Sequence, residues 1–363
     1  MTNQIVIDSA ESRETNDGKA LQTSCCVAGG GPGGMMLALL LARQGVDVTL
    51  LESHKDFDRD FRGDTIHPSV LENLDQIGLA EKLHKLPHTR IHGPSIRTAD
   101  GPFQPFDFRH LRTKFPYIML MRQAKFLEFL ADEASKYPTF HLRMGARVQD
   151  LLEKDGRVAG VQYSDGNSLH EVRAHLTVGA DGRFSKVRQL AGIQSVKQSP
   201  PIDVLWFRLP RLESDFEVST GLLGRFSHGH VLVVFDRRDF WQIAFVFRKG
   251  QYQQIRQQGI EAFRRAVLAM EPRFEQHMQH FTDWQQATLL SVESSRCTRW
   301  YKPGLLLIGE PRMLCRRWVA SASTTPSRTR WPRRMCSASP CLRARLMSAT
   351  WPRSKNAASS PHV

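Results

Sequence analysis

Long apolar runs are missing from this chain. Its best helix-forming apolar stretch, Met35–Ala42, is eight residues, against the ~20 that a bilayer span needs, so no integral membrane association is expected. The six cysteines, at positions 25, 26, 297, 315, 336 and 341, contain no C-x-x-C pair. That pattern excludes a zinc ribbon and leaves reduced thiols, as expected of a cytoplasmic protein. No H-E-x-x-H accompanies the His228-Gly229-His230 stretch, which reads as a hairpin turn with solvated histidines rather than a metal site. Residues 1–20 lack the charged-then-apolar order of a secretion signal and read as a disordered leader.

Acidic residues are missing from the last part of the chain. Residues 311–363 hold ten Arg and one Lys with no Asp or Glu, while the first 310 residues carry 39 basic and 36 acidic side chains. The net charge of +14 therefore belongs to the tail and does not make the body of the chain a nucleic-acid binder.

What is present is organised around Cys25–Glu52, CCVAGGGPGGMMLALLLARQGVDVTLLE. Cys25–Ala28 reads as a short strand, Met35–Arg43 as a helix closed by Gly45, and Val46–Leu51 as a second strand. Gly29, Gly31 and Gly34 fit G-x-G-x-x-G, with Pro32 and Gly33 filling the turn. In such a turn the first glycine allows the bend, the second lets a pyrophosphate approach, and the third lets helix and strand pack closely. The helix start supplies free N–H groups and a positive dipole end. Glu52, 23 positions after Gly29, stands where an acid accepts from a ribose hydroxyl.

Downstream, a loop carrying Arg62 leads to a helical pattern at Val70–Gln76, ended by Gly78. Arg122 and Gln123 open a helix, Ala124–Lys136, whose apolar stripe contains Phe126, Phe129, Leu130 and Ala134. Residues 140–174 alternate in period two, with turns at Asp155-Gly156 and Asp165-Gly166, and predict a three-stranded meander. Leu176–Gly179 predicts a separate apolar strand leading to Ala180-Asp181-Gly182, and Gly304–Gly309 a last buried parallel strand. Residues 203–248 contain long alternating strands, DVLWFRLPR and DFWQIAFVFR, of a second, antiparallel sheet. Its large aromatics, Trp206, Phe207, Trp241, Phe245 and Phe247, are candidates for a pocket wall or for plain core. Alternation puts Trp241, Ile243 and Phe245 on one face, and Gln242, Ala244 and Val246 on the other. Glu261–Met270 reads as an amphipathic helix.

Three motifs in order, Gly29–Gly34 with Glu52, GADGRFSKVR at Gly179–Arg188, and LLLIGE at Leu305–Glu310, resemble the class A flavoprotein monooxygenases, the para-hydroxybenzoate hydroxylase family. The resemblance covers roughly residues 23–310. It implies that the first motif holds the ADP half of FAD and that Asp181 and Gly182 shape a turn against the pyrophosphate, in a region also tied to NAD(P)H contact. It further implies that Gly309 and Glu310 stand where the family's Gly-Asp pair meets the ribityl chain, and that Arg62 and Gln123 contact FAD. The implied fold is α/β: a doubly wound, Rossmann-like FAD domain (21–87, 118–190 and 296–310) with an inserted, mostly antiparallel substrate domain (88–117 and 191–295). The implied reaction uses NAD(P)H and O2 to oxygenate a small, usually aromatic, organic substrate. The cofactor carries that chemistry, and no side chain is singled out as catalytic.

The third motif then breaks. The family continues Gly-Asp-Ala-Ala-His, then Pro, a glycine-rich turn, Asn and a helix, whereas Gly309 here is followed by EPRMLCRRWVASASTTP. Suppose one base is missing at the Glu310 codon, so that each original codon spans two tail codons. Trp318-Val319 must then encode Gly, Trp331-Pro332 Ala and Met335-Cys336 Val. With the free bases chosen to suit, the hidden frame reads GDAAHAMSPVGGVGINYAVQDAVAAANVL, which is the family pattern. Residues 311–363 are therefore read as an out-of-frame, disordered tail, and activity of this product as impaired. The alternatives are a FAD-dependent reductase of lipid double bonds on the same fold, and a non-enzymatic protein that binds through its basic tail. A halogenase is disfavoured by the absence of W-x-W-x-I-P.

Overall fold

A computed structural model describes residues 20–58, 64–98, 101–166, 168–197, 200–215, 222–227, 229–237, 239–293 and 295–309. Arg62, Glu310 and the tail from residue 311 lie outside them. Among the described residues no helix is long and apolar enough to cross a membrane.

The first sheet is built on β1 (Leu21–Ala28), α1 (Pro32–Arg43) and β2 (Val48–Glu52). Strands Leu305–Leu307, Leu169–Gly179, β1, β2 and Phe140–Met144 run parallel in that order, with Tyr301–Lys302 antiparallel at one edge. Pro32 opens α1 at its first turn, where a missing N–H costs nothing. Gly45, with φ +75°, ends it. Met35, Ala38, Leu39 and Ala42 of α1 pack on Cys25, Val27, Val48 and Leu50. The helix Gln123–Ser135 joins this layer through Phe126, Leu127, Phe129 and Leu130.

The opposite sheet face carries Cys26, Ala28 and Leu51, covered by the strands Arg147–Lys154 and Arg157–Ser164. Here the structure redraws two expected elements. Phe140–Met144 pairs with β2 and belongs to the parallel sheet, not to the meander. The last meander strand and the expected apolar strand before Ala180 are one strand, Leu169–Gly179. Its first half pairs antiparallel with Arg157–Ser164 and its second half parallel with Leu305–Leu307. The sequence splits it because its burial pattern changes midway: alternating at first, fully buried over Thr177–Gly179.

The second sheet has seven strands in the order Ala287–Ser291, Ile202–Pro210, Phe240–Arg248, His230–Asp236, Leu222–Ser227, Ser95–Thr98 and Gly101–Phe103. All neighbours are antiparallel except Leu222–Ser227 with Ser95–Thr98. One face buries Phe207, Trp241, Ile243, Phe245 and Phe247 against the helices Ile260–Met270 and Glu275–Met278, with Phe263, Phe274 and Phe281 interleaved. Ring centroids there stand 5.2 Å apart for Phe245–Phe263 and 5.3 Å for Phe263–Phe281. Each such burial is worth roughly 1.5–3 kcal/mol. Four of the five aromatics offered as wall or core are thus core. Trp206 alone faces the other way, stacked on Phe235 at 5.8 Å, in the row it shares with Ala244 and Val233. His230 begins the strand after the Gly229 turn. It is only part exposed, with its ring 4.8 Å from that of Phe245.

A three-stranded sheet, Thr65–Ile66, Ile118–Leu120 and Thr89–Ile91, lies beside that second face. Its Ile91, Ile118 and Leu120 pack on Leu222 and Phe235.

Candidate functional site

Because five strands run parallel, their carboxyl ends open on one crevice. Ala28 leads into the glycine turn, β2 ends at Glu52, Gly179 leads to Asp181, and Leu307 leads to Gly309. The fold thus brings Gly29, Gly31, Pro32, Gly33, Gly34, Glu52, Asp181, Gly182 and Gly309 to one end of the sheet.

The glycines differ in what they permit. Gly29 has φ +111°, and a Cβ there would lie 2.5 Å from the Ala180 carbonyl oxygen. The turn before Asp181 packs directly on it. A Cβ on Gly34 would lie 2.0 Å from the Gly29 carbonyl oxygen, so only glycine lets the helix close on the turn. Around Gly31 and Gly33 a Cβ would meet nothing within 4 Å. That side of the helix start is open to a ligand. Gly31 is the N-cap of the 12-residue α1 and has no side chain to satisfy the first amides, which leaves them for an anion.

Glu52 is 3% exposed and turns toward the glycines. Its Oε2 accepts from the Gly30 amide at 2.8 Å. Its Oε1 accepts from the His54 amide at 2.9 Å and from His54 Nδ1 at 2.6 Å. Sequence reasoning named neither Gly30 nor His54. The middle glycine of the G-G-G run and a histidine two places after the acid were the available signals.

Asp181 spends its carboxylate on its own chain, accepting from Ser185 Oγ at 2.5 Å and from the Val187 amide at 3.0 Å. Ser185 in turn caps Arg188. These bonds hold the loop that lies on Gly29. Gly182, φ +79°, completes the turn. Arg183 reaches from this loop to the second sheet and donates to the Ser291 carbonyl at 3.2 Å.

Gln123 is not joined to the glycine turn by any hydrogen bond among the described residues. It is buried at the start of its helix, and its amide donates to Asp64 Oδ1 at 3.0 Å. Asp64 also meets Arg237 of the second sheet, 173 positions away. No local pattern announces that pair.

A glycine turn open at Gly31 and Gly33, a helix start with unclaimed amides and a buried acid beside them suit a dinucleotide's pyrophosphate and ribose. The comparison with known families agrees: residues 22–311 match the FAD binding domain family. The chain belongs to that family. The match ends at residue 311, where the expected family pattern is lost. The 6-methylpretetramide 4-monooxygenase of Streptomyces rimosus is 31% identical over 290 residues, which are 79% of this chain and 68% of that enzyme. The chain spans between 29% and 52% of the length of seven other curated relatives that it matches. Among solved structures, PqsL of Pseudomonas aeruginosa, a probable FAD-dependent monooxygenase, superposes with a TM-score of 0.67 at 18% identity, covering 81% of this chain and 79% of the other. The p-nitrophenol 4-monooxygenase PnpA of Pseudomonas putida does so with 0.66 at 18%, covering 82% and 74%. At that identity the structures establish a shared fold: a Rossmann-like FAD-binding sheet joined to a mostly antiparallel one.

Proposed function

We propose that this chain is a FAD-dependent monooxygenase that uses NAD(P)H and O2 to hydroxylate a small aromatic substrate in the cytoplasm. The observation that carries this reading is Glu52 beside the open Gly31–Gly33 helix start, in a chain 31% identical to a monooxygenase over 79% of its length.

On this reading the amides at the start of α1, with Gly31, Pro32, Gly33 and Gly34, take the pyrophosphate, and Glu52 takes the adenosine ribose. Asp181 and Gly182 keep the neighbouring turn in place beside Gly29. Arg62, Gln123, Gly309 and Glu310 are assigned to the flavin half. Bound FAD, reduced by NAD(P)H, supplies the activation of O2; the chain binds, orients and keeps water out. The substrate wall is the second-sheet face of Trp206, Phe235, Gln242, Ala244 and Val246, where an aromatic pair gives a ring something to stack on. The division into FAD-binding pieces at 21–87, 118–190 and 296–310 and substrate pieces at 88–117 and 191–295 belongs to the same reading. So does the out-of-frame origin of residues 311–363, which the end of the family match at residue 311 supports.

The test compares this chain with the product of the gene restored by one base near codon 310. The restored protein should purify yellow and oxidise NAD(P)H faster when given a phenol, yielding a hydroxylated product. A second reading, a reductase of lipid double bonds, draws on 25% identity to the digeranylgeranylglycerophospholipid reductase of Thermoplasma volcanium. Saturation of a prenyl lipid without O2 uptake would favour it and end the hydroxylase reading.

A further inference from the structure

Asp64 stands just before the strand Thr65–Ile66 and makes three bonds. Its backbone carbonyl accepts from the Met121 amide at 3.0 Å. Its Oδ1 accepts from the Gln123 amide at 3.0 Å, and its Oδ2 from Arg237 Nη2 at 2.5 Å. Arg237 belongs to the turn between His230–Asp236 and Phe240–Arg248, where its amide donates to the Phe240 carbonyl. Its Nε donates to Gln242 Oε1 at 2.8 Å, and its guanidinium lies 5.9 Å from the Phe235 ring centre. The Arg237 side chain is 8% exposed. Burial pulls its pKa below the usual arginine value, with Arg208 and Arg122 pulling the same way and Asp64 opposing them.

A guanidinium this deep needs a counter-charge, and an unpaired one is strongly unfavourable. Asp64 supplies that charge, but it is not a dead end. Its other oxygen fixes the first amide of the helix Gln123–Ser135. Gln242, the second partner of Arg237, lies on the sheet face that carries Trp206 and Phe235. The chain of bonds Gln242–Arg237–Asp64–Gln123 therefore joins the wall offered to a substrate to the segment offered to the flavin. The planar fork of an arginine serves Asp64 and Gln242 from two nitrogens at a fixed spacing, a geometry that a lysine's single ammonium does not reproduce.

We propose that Asp64 and Arg237 are a positioning pair: Arg237, seated on the second sheet, holds the Asp64 carboxylate on the Gln123 amide, so that the substrate wall and the flavin-facing segment keep one spacing. Its relevance to oxygenation rests on the function proposed above, but the coupling itself is testable without cofactor.

The experiment is residue-resolved amide hydrogen exchange on the full chain with no ligand added. In Arg237→Met and Asp64→Asn, exchange at Met121 and Gln123 should rise about tenfold relative to Leu127 and Leu130 of the same helix. Asp203→Asn removes a buried carboxylate of the same sheet that bonds Lys249 and the amides of Gly250 and Val292; it should leave that ratio within about twofold. If Arg237→Met does not fold, Arg237→Lys should give the same selective rise at about threefold. Unchanged exchange at Met121 and Gln123, a rise shared by the whole helix, or the same pattern in Asp203→Asn would each overturn the pair. Added FAD gives the second arm: in the frame-restored protein, Arg237→Met should weaken binding about tenfold and Arg237→Lys less. A frame-restored protein that binds no FAD counts against the flavin reading, and the exchange result still decides the pair.

Discussion

His54 Nδ1 donates to Oε1 of Glu52 at 2.6 Å, on the carboxylate assigned to the ribose. The histidine is exposed and the glutamate buried. A ribose hydroxyl reaching Oε1 of Glu52 must share it with the imidazole or displace it. His54→Ala should therefore tighten FAD binding by the restored protein about threefold, whereas Glu52→Gln should weaken it about tenfold. Flavin fluorescence titration reads both, and weaker binding by His54→Ala would refute the competition.

Gly34 and Gly31 should respond in opposite ways to the same methyl group. Gly34→Ala drives a Cβ into the Gly29 carbonyl and should cost roughly 1–3 kcal/mol or more of stability. Gly31 has φ −69° and open space around it, so Gly31→Ala should fold within about 0.5 kcal/mol of the parent. The same methyl should nonetheless weaken FAD binding. Urea melts paired with flavin titrations separate the two effects.

The Asp215 carboxyl should make the second sheet acid-sensitive. Burial raises its pKa, but hydrogen bonds from His277, Trp241 and the Leu212 amide outweigh this and hold it below the usual carboxylate range. Its contacts are 2.7 Å to His277 Nε2 and 2.8 Å to Trp241 Nε1. A depressed folded pKa stabilises the fold above the unfolded value near ~3.9, and that stabilisation is lost as pH falls through the folded value. Asp215→Asn should lower stability at pH 7 by roughly 1–3 kcal/mol. Between pH 7 and pH 3 it should lose less further stability than the parent does. Chemical denaturation at the two pH values checks the sign.

Cys25 and Cys26 should resist alkylation in the folded chain. Burial pushes the Cys25 thiol up to about 12. It pushes Cys26 higher still, with neighbouring Cys25 adding to the effect. At pH 8 neither forms thiolate, the reactive species. Peptide mapping after iodoacetamide should find both unmodified until denaturant is added.

The chain as written should hold FAD poorly, because an Arg-rich tail replaces the turn and helix that the resemblance places beside the flavin ring. A full-occupancy flavin spectrum from this product, without frame restoration, would contradict both the out-of-frame reading and its consequence.

Much of the first sheet was legible in the sequence because its signals are local. A glycine whose turn forbids a side chain, a proline at a helix start and an apolar run of strand length each act within a few residues. Gly29, Pro32, Gly34 and Gly45 therefore announce α1 and its turn. The division of Leu169–Gly179 between two pairings was not legible, because partner choice depends on strands far away in the chain. The seven-stranded sheet was legible as alternation, but not as to which face would be covered.

By itself, the sequence determined the glycine turn, the acid at its distance, the order of the three motifs and the loss of the family pattern after Gly309, all of which depend on residue identity and spacing. Only the tertiary structure decided that Trp206 faces away from the helices while Trp241, Phe245 and Phe247 are core. It alone turned Glu52 onto Gly30 and His54, and joined Asp64 to Arg237 across 173 positions. The physical reason is that burial and ion pairing depend on which surfaces meet, and that is settled by packing between segments with no local signal of one another.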